Sequence, residues 1–160
     1  MNLSKQEIYE YLRGRNVPFE VTEHEAVYGM EQVAALDEPR KESLAKNLFV
    51  RDEKRETYCL ITVRGEQKFD LNAFRHRFGL RRLSFATAEE LLDLLGVRPG
   101  SVSPLCLLNP TSAGVRYFLD ESFEREGGMI GVHPNDNTAT IWMDVRDLVR
   151  ILGPEHVTRF

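Results

Sequence analysis

Short apolar runs rich in β-branched and aromatic residues recur along the whole chain, with helix caps or turn formers between them. Leu48 to Val50 and Tyr58 to Val63 are the densest and predict core strands. Pro18 to Thr22, Arg82 to Phe85, Leu105 to Leu108, Val115 to Leu119, Met129 to Val132 and Thr138 to Met143 read as further strands. The charged segment Arg51 to Glu56 then falls in a hairpin loop. Ser4 with Glu7 forms a capping box, in which each side chain satisfies a backbone N–H that the first helical turn leaves free, so a helix is predicted from Lys5 to Arg13, ending near Gly14. Tyr28 to Leu36 predicts a shorter helix, stopped before Pro39. Asp70 caps a helix through Phe78 that Gly79 terminates, and Thr87 with Glu90 opens another that Gly96 stops. Asp144 starts a last helix, ending at Gly153-Pro154. This order predicts one α+β domain over residues 1–160, a mixed sheet with short helices around it.

Composition narrows the function classes. A chain of 160 residues can bury a substantial core, and 42% hydrophobic with 29% charged residues is ordinary for a soluble protein. No apolar run has the length of a membrane span, and the start of the chain lacks the basic-then-apolar order of a secretory signal. Cys59 and Cys106 each sit inside an apolar run and outside any C-x-x-C pair, so they read as buried thiols of a reducing, cytoplasmic compartment. The net charge of −4 argues against a general nucleic-acid binder. Basic stretches nevertheless occur, at Arg75 to Arg82 and at Arg40 to Arg55, either of which serves as a solvated face or as a grip on a few phosphates.

Three motifs remain to be explained by chemistry: Lys46-Asn-Leu-Phe49, Gly100-Ser-Val-Ser-Pro104 and His133-Pro-Asn-Asp-Asn-Thr138. An ammonium at a strand entrance can neutralise a phosphate or a developing oxyanion, and Lys46 also fits a plain surface lysine. A glycine loop with two serines can converge backbone N–H groups on an oxyanion or a ribose, and it also fits a simple turn. His133 stands where a strand becomes a turn, placed to bond a substrate or to hold the turn. Neither the histidines nor the cysteines have metal-ligand spacing, and no Ser-His-Asp arrangement, P-loop or dinucleotide fingerprint occurs, so no metal or cofactor is expected.

Taken in order, Val21-Thr-Glu-His24, Lys46 to Val50, Tyr58 to Val63, Arg82-Leu-Ser-Phe85, Leu95 to Pro104 and Val132 to Thr138 resemble the YbaK/ProX family of aminoacyl-tRNA deacylases. These are free-standing relatives of the editing domain of prolyl-tRNA synthetase. The resemblance covers nearly the whole chain and is strongest to the branch that clears alanine from tRNA for proline. It implies a curved mixed sheet, no cofactor, and hydrolysis of the ester between an amino acid and the terminal ribose of tRNA. Lys46 would bind the terminal phosphate or the ester carbonyl, the Gly100 to Ser103 backbone would cradle that carbonyl, and His133 with Asn47 would shape the pocket. The catalytic set implied is Lys46, Gly100, Ser101 and His133; the substrate-binding set is Asn47, Phe49, Val102, Ser103, Pro104 and Asn135. The partners implied are mischarged tRNA and prolyl-tRNA synthetase, with the protein a monomer away from membranes. Other readings are a cysteinyl- or seryl-tRNA deacylase, a non-catalytic tRNA or aminoacyl-adenosine module, and a protein-interaction domain.

Overall fold

The computed structural model describes residues 3–24, 41–65, 68–125 and 128–160. The helix expected over Tyr28 to Leu36 lies outside them. Among the described residues eight strands form two sheets: β1 (Phe19–Glu23), β2 (Ala45–Asp52), β3 (Tyr58–Arg64), β4 (Leu83–Phe85), β5 (Arg116–Leu119), β6 (Met129–Val132), β7 (Ala139–Asp144) and β8 (Val157–Arg159). One sheet has the order β1-β7-β6 and is antiparallel; the other has the order β4-β2-β3-β5-β8. In the second, β4, β2 and β3 are antiparallel while β3, β5 and β8 are parallel, so the sheet is mixed.

The helices are α1 (Lys5–Gly14), α2 (Leu71–Arg77), α3 (Ala88–Leu95), α4 (Ser122–Arg125) and α5 (Val145–Leu152). Both predicted capping boxes are formed, at Ser4–Glu7 and at Thr87–Glu90, and Asp70 and Asp144 cap α2 and α5. Gly96 ends α3 at φ 71°, a left-handed angle that glycine adopts without a Cβ clash.

Alternation along β2 sorts the core into two layers. Phe49 packs with Leu60, Tyr117, Leu119, Ile130, Val132 and Ile141, between the two sheets. Leu48 and Val50 pack with Cys59, Ile61, Val63 and Phe118 on the opposite face, under Phe74 of α2. The rings of Phe74 and Phe78 stand 4.9 and 4.8 Å from that of Phe118. Cys59 and Cys106 are free and fully buried, as expected. Burial pushes their thiols up to about 11 and about 12, which keeps them protonated and unreactive.

Two local expectations fail. Pro104–Leu108 is a 3-10 helix, not a strand. Pro104 supplies no N–H for a ladder and has φ suited to a helical first position, while the Ser103 hydroxyl oxygen accepts from Leu105 N at 3.1 Å. The run is apolar because it is buried, and burial alone does not distinguish a strand from a short helix. The Arg51 to Glu56 loop is also shorter than expected, because β2 continues through Asp52. Asp52 is 2% exposed and accepts from Glu56 N at 2.8 Å and Thr57 N at 3.2 Å, so it is the anchor of the hairpin turn.

Candidate active site

Among the described residues one backbone bridge joins the two sheets. Leu44, just before β2, forms an isolated parallel bridge with Gly131 of β6. Farther along, the same edge of β2 pairs with β4 from Val50 to Asp52. The edge of β2 is therefore forked, with β6 at one end and β4 at the other. Residues 45–49 border the opening. Gly131 makes the junction possible: a Cβ there would stand 2.5 Å from the Trp142 ring, so only glycine lets the indole lie across β6. The Trp142 ring is anchored by Nε1, which donates to Thr22 Oγ1 at 2.9 Å.

The three sequence motifs meet pairwise around this fork. Asn47 Nδ2 donates to the carbonyl of Val102 at a long 3.4 Å, tying the lysine strand to the glycine loop. Cys106 Sγ donates to Asn135 Oδ1 at 3.3 Å, tying the helix after that loop to the histidine turn. The Leu44–Gly131 bridge closes the triangle. Lys46 and His133 each stand two residues beyond the bridge on chains running the same way. Strand alternation then puts them on the same face as Leu44 and Gly131. Asn47 lies on the other face, that of Phe49 and the glycine loop.

The Lys46 side chain is half-buried and makes no ion pair or hydrogen bond among the described residues. His133 is also half-buried, and its Nδ1 lies 2.9 Å from the Ala139 carbonyl, which can only accept. The proton is therefore on Nδ1, and Nε2 of the neutral ring carries a lone pair. Burial lowers the His133 pKa, the Ala139 carbonyl opposes that, and nearby His24 adds to it. The His24 ring is 6.0 Å from that of His133, and its Nε2 lies 2.9 Å from Thr140 Oγ1. His24 ends the first quoted motif, but only the pairing of β1 with β7 brings it beside His133.

The glycine loop is tightly built. Gly100 has φ 92°, in the left-handed region, and Ser101 N donates to the Arg98 carbonyl at 3.1 Å. Ser101, Ser103 and Pro104 are buried and Val102 is half-buried. The Ser103 oxygen is occupied by its own helix cap, so this serine serves the loop's shape. Upstream, α3 is held to β2 through Glu90. Burial opposes ionisation of Glu90, but hydrogen bonds from Tyr58, Thr87 and Arg51 outweigh it and hold its pKa down to about 2. Downstream, buried Asn109 donates to the Leu95 carbonyl at 2.8 Å and accepts from Leu3 N at 2.9 Å.

Two of the remaining predicted residues are engaged within the protein. Phe49 is 4% exposed and stacks on Tyr58 at 5.7 Å between ring centres. Asn135, at φ 58°, accepts from Cys106 and donates from Nδ2 to the Leu3 carbonyl at 3.3 Å, so both of its amide atoms hold the turn. Among the described residues no three His, Cys, Asp or Glu side chains are grouped to hold a metal ion. No described helix is long and apolar enough to cross a membrane.

The fork thus carries an ammonium and a neutral imidazole on one face, while Asn47 ties the glycine loop to the other. Residues 24–151 match the model of the aminoacyl-tRNA editing domain. The chain belongs to that family, which makes it by class an editing deacylase. It is 32% identical over 149 residues to the prolyl-tRNA editing protein ProX of Acetoanaerobium sticklandii, covering 93% of this chain and 90% of that one. It is also 32% identical over 149 residues to prolyl-tRNA synthetase associated domain-containing protein 1 of Danio rerio, covering 92% and 80%. Among solved structures, a candidate trans-editing enzyme for prolyl-tRNA synthetase superposes with TM-score 0.69 at 22% identity, covering 99% and 98% of the two chains. Hypothetical protein APE2540 superposes with TM-score 0.75 at 18% identity, covering 98% and 97%. At those identities the two structures speak for the fold, which is the α+β editing-domain architecture the resemblance implied.

Proposed function

We infer that this protein edits in trans, removing the wrong amino acid from tRNA charged by prolyl-tRNA synthetase, and that its preferred substrate is alanyl-tRNA for proline. The meeting of the three motifs at the β2 fork, in a chain of the editing-domain family, carries this reading. Lys46, without a protein partner among the described residues, holds the terminal phosphate or the ester carbonyl. Backbone N–H groups of Gly100, Val102 and Ser103 meet the carbonyl as it becomes tetrahedral, when donors already in place stabilise the new charge most, while the Ser101 N–H holds the turn through Arg98. His133 Nε2 accepts from the attacking water or from the ribose hydroxyl. Phe49 and Pro104 support the pocket from behind, and Asn135 holds the turn that carries His133.

A neutral imidazole set by one carbonyl is a modest base, so the free hydroxyl of the terminal ribose assists the attack and the enzyme acts mainly by positioning. The chemistry is metal-independent in this reading. Larger amino acids are excluded by clash, whereas one missing methylene is worth only about 1–3 kcal/mol, so glycine and serine esters are cleaved slowly. Residues 1–160 act as one editing domain, a cytoplasmic monomer whose partners are tRNA and, for handover, prolyl-tRNA synthetase.

The test is hydrolysis of tRNA for proline charged with alanine, cysteine, serine or proline, by wild type and Lys46→Ala. Rapid loss of alanine alone, abolished by the substitution, is the expected result. Preferential loss of cysteine or serine would move the substrate within the class. Tight tRNA binding with no hydrolysis of any ester would replace the enzyme with a binding module.

A further inference from the structure

Two buried hydroxyls and the half-buried Asn47 amide form a line that ends on the glycine loop. Tyr117 is 2% exposed and donates from its hydroxyl to Thr62 Oγ1 at 2.9 Å. Thr62 is fully buried and donates to Asn47 Oδ1 at 2.6 Å. Asn47 Nδ2 then donates to the Val102 carbonyl at 3.4 Å. Burying two hydroxyls among Phe49, Leu60 and Leu119 is unfavourable unless each is bonded, and here each is.

The line has only one self-consistent direction. The Val102 carbonyl can only accept, so it takes a hydrogen from the Asn47 NH2 group; a threonine hydroxyl has one hydrogen, which Thr62 gives to Asn47 while accepting from Tyr117. The oxygen of the Asn47 amide therefore faces Thr62 and its NH2 group faces the glycine loop. One amide hydrogen holds Val102, and the second is unassigned among the described residues. Bonds aligned donor-to-acceptor polarise one another, so the strength of the last depends on the first two.

We propose that Thr62 and Tyr117 are positioning residues: they lock the Asn47 amide in one orientation, which fixes the Gly100 to Ser103 loop and aims the second Asn47 N–H at the ester or ribose of the substrate. The substrate half of this proposal rests on the editing reading above; the loop half does not. Thr62→Val keeps the volume and removes the relay, and Thr62→Ser keeps the hydroxyl. Tyr117→Phe removes only the first donor. Each variant is compared with wild type by amide hydrogen exchange at Ser101 to Ser103 and by kcat and KM on alanyl-tRNA for proline.

Thr62→Val is expected to speed exchange across the loop by about tenfold and to lower kcat by about tenfold or more, with a smaller change in KM. Thr62→Ser restores both, and Tyr117→Phe moves both part of the way. Unchanged loop exchange in Thr62→Val, or failure of Thr62→Ser to restore it, overturns the proposal. If Thr62→Val does not fold, Tyr117→Phe decides, and exchange and kcat equal to wild type would overturn it. If wild type hydrolyses no aminoacyl-tRNA, the editing reading falls, while the exchange data still decide whether the line holds the loop.

Discussion

Leu44 and Gly131 form a parallel bridge that links the backbones of the two sheets, and Lys46 and His133 lie two residues beyond it on the same face. The site depends on that junction. Its weak point is the glycine, because the Trp142 ring occupies the space of the missing side chain.

Gly131→Ala should therefore destabilise the fold by about 1–3 kcal/mol, the usual range for forcing an extra methyl into a packed core. Urea denaturation monitored through Trp142, the sole tryptophan, measures this directly. An unchanged midpoint would show that the indole can move aside and that the junction is looser than its geometry implies.

Lys46→Ala should weaken tRNA binding most at low salt and flatten the salt dependence by about one phosphate contact. The comparison is log affinity against log salt for wild type and variant. Parallel lines would mean that Lys46 meets the ester carbonyl and touches no phosphate.

The imidazole of His133 must be neutral to accept a hydrogen bond at Nε2, and its folded pKa lies below 6.5. Deacylation should hold steady as pH falls to 6.5 and decline only below it, as the ring takes a proton. Removing the ring in His133→Ala should lower the rate by about tenfold, one hydrogen bond's worth, and should erase the acid limb. The same depressed pKa also makes stability fall as pH drops below 6.5, because the unfolded chain binds that proton first. Thermal midpoints at each pH separate unfolding from inactivation.

Glu90 acts in the other acid window. Its pKa is about 2 when folded against 4.5 unfolded, so it stabilises fully above pH 4.5 and loses that contribution as pH falls toward 2. Glu90→Gln should lower stability at pH 7 by about 2 kcal/mol, from the hydrogen bonds of Arg51 and Tyr58 to a charged carboxylate. The variant's stability should also vary less between pH 4.5 and 2. An unaltered acid limb would place the transition in other carboxylates.

Local signals in the chain were sufficient for what is settled by neighbours in sequence. Caps at Ser4, Asp70, Thr87 and Asp144 and the stop at Gly96 depend on side chains within a few residues, and each forms where its spacing puts it. The buried state of Cys59 and Cys106 follows from the apolar runs around them. Leu105 to Leu108 shows where that logic fails, since a buried apolar run fits a strand or a short helix equally and the proline before it decided. The motif residues were recognisable by type, but their meeting was not. Asn47 reaches Val102 across 55 positions, and Leu44 pairs with Gly131 across a still longer stretch of chain. Thr62 and Tyr117 gave no warning, because a hydroxyl inside a β-branched run looks like ordinary strand filler until its partner arrives from another strand. Residue order thus determined which donors the protein owns, through spacing and propensity. Which of them share a site, and which way Asn47 faces, was decided by long-range pairing, whose hydrogen bonds exist only once the sheets have closed.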